Sequence, residues 1–240
     1  MKKALLLLVA SPLAFASGNT SIESFNTAKR LMQEQIFVGD GFQTTLYCGA
    51  KFNANKEVTL PDGFVSTKYK DRLKTWEAEH ISAAESWGKS FVEWREGHPS
   101  CVDNKGKSFK GRNCASKVNK QYRLMQSDLY NLAPSIGAVN GMRKNYNFTM
   151  MPNAKSSFGS CDMRIENRKV QPPESARGRI ARAYLYFDEV YSRYSMSKAQ
   201  RQLMMAWDKQ YPVTPIECEI GRRIKLVQKS SNPILEARCR

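Results

Sequence analysis

The chain has 240 residues, with 38 Lys and Arg against 22 Asp and Glu, for a formal net charge of +16. Hydrophobic content of 41% with 10% aromatics excludes a disordered basic tail, and no uninterrupted apolar run is long enough to cross a bilayer. The expectation is a globular protein, one domain by length, whose surplus of cations suits a polyanionic partner.

Residues 1–16 open on Met1-Lys2-Lys3, continue through the apolar stretch from Ala4 to Ala10, and close on Ala14-Phe15-Ala16, a small-x-small step. That is the pattern of a secretory signal cleaved after Ala16, leaving 17–240 as the working domain in the periplasm or the medium. Residues 20–37 carry Ile22, Phe25, Ala28 and Leu31 at helical spacing. From Val38 to Asp71, glycines and Pro61-Asp62 punctuate short runs such as Phe42 to Cys48, which read as strands and loops. Lys74 to Ala84 is ambiguous, and 95–117 reads as loop. A helix follows through Val118, Tyr122, Met125 and Leu129 and stops before Asn131-Leu132-Ala133-Pro134; another is expected from Ser135 past Tyr146. The strongest periodicity is Ile180, Ala183, Tyr184, Phe187, Val190, Tyr191 and Tyr194, a core stripe. A last helix starts after Ser197, a good N-cap, and ends before Pro212 and Pro215.

Six cysteines, Cys48, Cys101, Cys114, Cys161, Cys218 and Cys239, form an even set with no Cys-x-x-Cys pair, which favours three disulfides over a metal knot. Only Cys101 with Cys114 is readable as a pair, because the residues between them are turn-rich.

The chemistry is narrow. There are two histidines, His80 and His98. His80 directly follows Glu79, which sets a hard oxygen donor beside a base that titrates near neutrality. No Gly-x-Ser-x-Gly elbow, His-Glu-x-x-His helix or phosphate-cradling glycine loop occurs. Lys105, Lys107, Lys110, Arg112, Lys117 and Lys120 crowd one stretch and suit a phosphate backbone contacted without base readout.

Several stretches taken together, Glu79-His80-Ile81, Lys110-Gly111-Arg112-Asn113-Cys114, Arg123 to Leu132, Pro134 to Gly141, Arg177 to Tyr186, and Ala206-Trp207-Asp208 with Tyr211-Pro212-Val213, closely resemble the bacterial endonuclease I family. The resemblance implies an α+β fold, mainly helical, around a small ββα-metal core, and a Mg²⁺-dependent endonuclease that cuts DNA and RNA through the phosphate backbone and leaves 5′-phosphates. By the same resemblance Glu79 and Asn140 hold one Mg²⁺, with Mn²⁺ or Ca²⁺ as substitutes, His80 is the general base, and Arg112 holds the scissile phosphate. Arg95 is a rival for that last role, Lys110 a further substrate contact, and Asn131 a positioning residue beneath the site. Nothing in the sequence points to an obligate oligomer, so a monomer is expected.

The chain departs from the family pattern around the metal. Relatives carry Trp directly before Glu-His and Val-Pro soon after, whereas Ala78 precedes Glu79 here, the tryptophan is Trp76, and Ser82-Ala83 follows. Glu77 thereby competes for the metal role. Neighbours on a regular strand also face opposite ways, so for Glu79 and His80 to share a site either the backbone there is twisted or the phosphate sits between the two side chains.

Overall fold

The computed structural model describes residues 18–239; the expected signal, residues 1–16, lies outside them. Ser24 caps α1 (Phe25–Leu31) by accepting the Thr27 N–H, and a π-helical turn, Met32–Ile36, extends it. The helix starts later than periodicity suggests because Asn19 ties the preceding backbone into a turn, its Oδ1 accepting from the Ser21 and Ile22 N–H groups. β1 (Lys51–Phe52) and β2 (Val58–Thr59) form a small antiparallel pair. Phe42 to Cys48, expected as a strand, supplies only a single bridge from Thr44 to Lys51.

A 3₁₀ turn, Lys70–Arg72, leads into β3 (Trp76–His80). Two short helices, α2 (Ala84–Gly88) and α3 (Val92–Arg95), follow, and then α4 (Arg112–Val118) and α5 (Lys120–Gln126). The stretch expected as loop thus contains a helix. Gly111, at φ +79, makes the turn into α4, and the Cys101–Cys114 bridge anchors its first turn.

After a 3₁₀ turn, Leu129–Asn131, β4 (Leu132–Ile136) runs antiparallel to β3 in the register Trp76↔Ile136 through His80↔Leu132, and α6 (Gly137–Arg143) leaves it at once. The expected helix from Ser135 past Tyr146 is therefore shorter. Ser135 and Ile136 belong to the strand, where pairing with β3 outweighs their helical spacing. Pro134 is tolerated because β4 has one strand partner only, leaving an edge that needs no N–H. β5 (Asn147–Phe148), β6 (Arg164–Glu166) and β7 (Lys169–Gln171) make a three-stranded sheet in the order β5-β7-β6.

α7 (Glu174–Val190) is the central helix and packs along α8 (Lys198–Gln210), which Ser197 caps as expected. Ile180, Ala183, Tyr184, Phe187, Tyr191 and Tyr194 are buried, although the helix ends at Val190 and the last two tyrosines fold back against it. The pairing of helix and proline is reversed at the next junction. Pro215 opens α9 (Pro215–Gln228), with Thr214 as the cap, because the first turn has no use for the missing N–H. α10 (Pro233–Glu236) is the last regular element among the described residues.

Three disulfides brace this frame: Cys48–Cys161, Cys101–Cys114 and Cys218–Cys239. Two buried polar nodes do the same from inside. Arg182 on α7 makes a bidentate pair with Glu217 on α9, at 2.6 and 2.7 Å, and reaches Asp208 on α8 at 3.2 Å. Asp128 is fully buried and accepts from the Tyr130 N–H, Gln228 Nε2, the Tyr186 and Tyr191 hydroxyls and the Asn19 N–H, which joins the start of the chain to α7 and α9.

Replacing Asp128 by Ala would take the acceptor from five donors, of which the Asn19 N–H and Gln228 Nε2 keep a second one, in the Tyr191 hydroxyl and Ser230 Oγ. Since each buried orphan costs about 1–3 kcal/mol and neighbours relax only in part, we expect Asp128→Ala to lose at least about 3 kcal/mol of stability. Thermal unfolding measures this; a melting temperature equal to that of the parent would contradict the role given to Asp128.

Candidate active site

The β3–β4 pair and α6 frame a cavity of about 650 Å³, into which Glu77, Glu79, His80, Arg112, Asn140 and Arg143 all face. Five of these come from two short stretches, 77–80 on β3 and 140–143 on α6, which meet through Asn140 on Glu77 and Arg143 on the His80 carbonyl. Arg112 arrives from α4.

Alternation along β3 would send Glu79 and His80 to opposite sides, yet both line the cavity. The strand ends at His80, and buried side chains hold the backbone beyond it. Arg143 Nη1 donates to the His80 carbonyl at 2.9 Å and Nη2 to the Ile81 carbonyl at 2.7 Å. Asn131 grips the next residue at both ends, accepting from the Ser82 N–H at 2.7 Å and donating to its carbonyl at 2.9 Å. Asn131 is wholly buried in this clamp, so it has no free face for a substrate and acts only on backbone position.

Glu79 is 2% exposed. Tyr47 donates its hydroxyl to Glu79 Oε1 at 2.6 Å, and Arg143 Nη1 approaches the same oxygen at 3.1 Å. Both contacts fall on Oε1, which leaves Oε2 for a ligand. Burial pushes the Glu79 carboxyl above the ordinary carboxylate range, and the Arg143 charge and the Tyr47 hydrogen bond oppose it. Arg143 stays cationic: burial acts against its charge, but the facing Glu79 and the tyrosines raise its pKa overall.

His80 is fixed by its other nitrogen. Nε2 lies 2.8 Å from the Gln126 carbonyl, which can only accept, so Nε2 carries the proton and Nδ1 of the neutral ring is an acceptor. Phe25 stacks on the ring with centroids 5.0 Å apart. Burial, reinforced by the positive charge of Arg112, pushes the His80 pKa down to about 3, so the ring is neutral at any ordinary working pH.

Glu77 and Asn140 form a second unit. Arg72 makes a bidentate pair with Glu77, and Asn140 Nδ2 donates to Glu77 Oε2 at 2.8 Å. Lys29, Lys56 and Lys144 stand round the cavity mouth, with no salt bridge to any described residue. Arg112 likewise has no carboxylate partner among the described residues. No group of three His, Cys, Asp or Glu that could hold a metal occurs among them either. What the cavity offers is hard oxygen, a carboxylate and an amide, the donor set of an ion such as Mg²⁺ that keeps much of its water.

Other expected residues lie elsewhere. Arg95 is outside the cavity, at the end of α3, donating to the Lys89 carbonyl at 2.7 Å. Lys110 lines a separate surface cleft with His98 and Phe109. Neither meets Glu79 or His80 in the cavity. Sequence reasoning passed over Tyr47, Arg72, Lys29 and Arg143; Arg143 alone had a usable signal, standing one helical turn after Asn140.

A deep carboxylate beside a neutral imidazole, with cations that have no salt-bridge partner among the described residues, suits an anionic ligand. Comparison makes the class definite: the Endonuclease I model matches residues 25–239. The chain belongs to the endonuclease I family and is a nuclease. It is 33% identical to a periplasmic deoxyribonuclease of Aeromonas hydrophila over 243 residues, covering 98% of this chain and 93% of that protein. An extracellular deoxyribonuclease of the same organism is 34% identical, covering 98% and 96%. Endonuclease-1 of Buchnera aphidicola subsp. Acyrthosiphon pisum is 30% identical, covering 91% and 83%.

Arg143 holds Glu79 and the end of β3 at once. We expect Arg143→Met to destabilise the fold by about 3–5 kcal/mol, the cost of leaving a buried charge without its partner, and to abolish nuclease activity in whatever protein remains folded. Thermal melts and activity per folded molecule test this; a stable, fully active variant would contradict it.

Proposed function

We propose that the protein is an exported, Mg²⁺-dependent endonuclease that hydrolyses single- and double-stranded DNA and RNA, without base selection, to 5′-phosphate products. The observation that carries this reading is the convergence of Glu79, His80, Arg112 and Asn140 on one cavity, with His80 Nδ1 left as a free acceptor. In this reading β3, β4 and α6 are the ββα-metal core, 17–240 is a single catalytic domain behind a cleaved signal, and the working protein is a monomer in the periplasm or the medium. The names of the relatives, periplasmic and extracellular deoxyribonucleases, favour DNA and export.

Glu79 Oε2 and the Asn140 amide oxygen are the donors for the ion. Glu77, the rival, is unsuited because Arg72 and Asn140 already take both of its oxygens. When bound, the ion would supply positive charge that stabilises the phosphate as it is attacked. His80 Nδ1 accepts the proton of the attacking water as the new phosphorus–oxygen bond forms and the bond to the 3′-oxygen breaks, that oxygen taking a proton from solvent water, and the Gln126 carbonyl keeps the ring turned for the transfer. Arg112 holds the nonbridging oxygens, and its charge also keeps His80 from binding a proton early. Lys29, Lys56 and Lys144 meet neighbouring phosphates at the mouth. Contacts of this kind track a backbone and read no bases.

Plasmid and structured RNA incubated with Mg²⁺ should both be cut, and a chelator should stop the reaction. His80→Ala should lower kcat by about 10²–10⁴, the usual worth of a general base. Nicking by the variant at the parent rate would remove His80 from the mechanism, and cutting that survives the chelator would remove the ion.

Salt offers an independent measurement. Neutralising phosphates releases counterions, so the logarithm of KM for DNA should rise steadily with the logarithm of salt concentration. A flat dependence would mean that the cations at the mouth do not touch the substrate.

A further inference from the structure

We propose that Arg72 and Glu77 are a positioning pair that orients the Asn140 amide with its oxygen turned into the cavity. The inference rests on the reading of Asn140 as a ligand for the divalent ion. An amide is nearly symmetric in shape, and on an open helix face either end could point at the ion. Glu77 removes the ambiguity. Its carboxylate only accepts, so the Asn140 NH₂ must face it, which it does at 2.8 Å, and Oδ1 is left pointing elsewhere. Glu77 is fixed in turn by the planar fork of Arg72, whose Nε lies 2.7 Å from Oε1 and Nη2 2.5 Å from Oε2. The Tyr69 ring lies under the guanidinium, 5.2 Å from its centre.

The helix is shaped to receive this pair. A Cβ on Gly137 would stand 2.6 Å from the Arg72 carbonyl oxygen and 2.8 Å from Glu77 Oε1, and one on Gly141 would stand 2.6 Å from Arg72 Nη1. Four residues apart, the two glycines clear one face of α6, beside Asn140, for Arg72 and Glu77 to lie against it. Arg72 also neutralises Glu77, so a second carboxylate sits at the edge of the site without adding net negative charge where a polyanion must dock.

Glu77→Gln tests the inference. A glutamine offers one acceptor oxygen where Arg72 and Asn140 together use two, so the amide of Asn140 would lose its fixed partner. Mn²⁺ is the probe, titrated by electron paramagnetic resonance, with Mg²⁺-dependent kinetics and melts in chelator alongside. Glu77→Gln should raise the Mn²⁺ dissociation constant about 10–100-fold, the typical effect of removing an outer partner of a metal ligand. The Mg²⁺ concentration for half-maximal rate should rise in parallel, kcat at saturating Mg²⁺ should largely recover, and the melting temperature without metal should change little. Arg72→Met should shift Mn²⁺ affinity in the same direction by less, and it replaces the first variant should that one fail to fold. Unchanged Mn²⁺ affinity in a folded variant of the pair, while Asn140→Ala weakens it, overturns the positioning role alone. Unchanged affinity in Asn140→Ala as well removes Asn140 as a ligand, and the inference with it.

Discussion

The guanidinium of Arg143 is the point on which the site depends. It is almost wholly buried, and it faces Glu79, the His80 and Ile81 carbonyls and the ring of Phe148 together. A cation in that position is costly to desolvate, and these partners offset the cost although Nε is left without one. The shape of the group matters as much as its charge. A planar fork can hold two successive carbonyls and still present a nitrogen to a carboxylate, which a lysine ammonium on a flexible stem cannot do with the same geometry. The end of β3 is thereby shaped by a residue of α6, and strand and helix cannot shift independently.

The electrostatics follow a consistent logic. In the proposed mechanism the site holds a cation and still admits a polyanion, so negative charge has to be present but sparing. Glu79 supplies it at depth, Glu77 is masked by Arg72, and Asn140 contributes a neutral donor. Positive charge gathers at the mouth, in Lys29, Lys56, Lys144 and Arg112. Burial disfavours a protonated His80, and the positive charge of Arg112 acts in the same direction. On the proposed mechanism, the imidazole is kept neutral by the same environment that would bind the substrate.

The frame around the site is tied by polar nodes as well as by its apolar core. Asp128 gathers the first described residues, α7 and α9; Arg182 gathers α7, α8 and α9. Both nodes have most of their donors and acceptors matched, which makes a buried polar cluster specific rather than merely expensive. The Cys101–Cys114 bridge has a local function beside its effect on the unfolded chain, since it anchors the helix that carries Arg112.

What the sequence determined by itself was chemistry and identity: the cationic excess, the even cysteine set, the Cys101–Cys114 pair, the α7 stripe, the Ser197 cap, and a resemblance carried by short motifs such as Glu79-His80. These are local or compositional, and they survive without knowledge of the fold. It misjudged Ser135 and Ile136 because strand pairing with a segment nearly sixty residues away outweighs helical spacing, and it missed α9 because Pro215 can start a helix as well as end one. Only the tertiary structure decided that Glu79 and His80 share a cavity, that Glu77 is occupied by Arg72, that Asn131 is sealed from solvent, and that Arg95 and Lys110 stand apart. Each of those outcomes turns on contacts between distant residues, and one of them on a backbone carbonyl, at Gln126, that any residue would supply. Side-chain identity cannot encode such a partner; the path of the chain does.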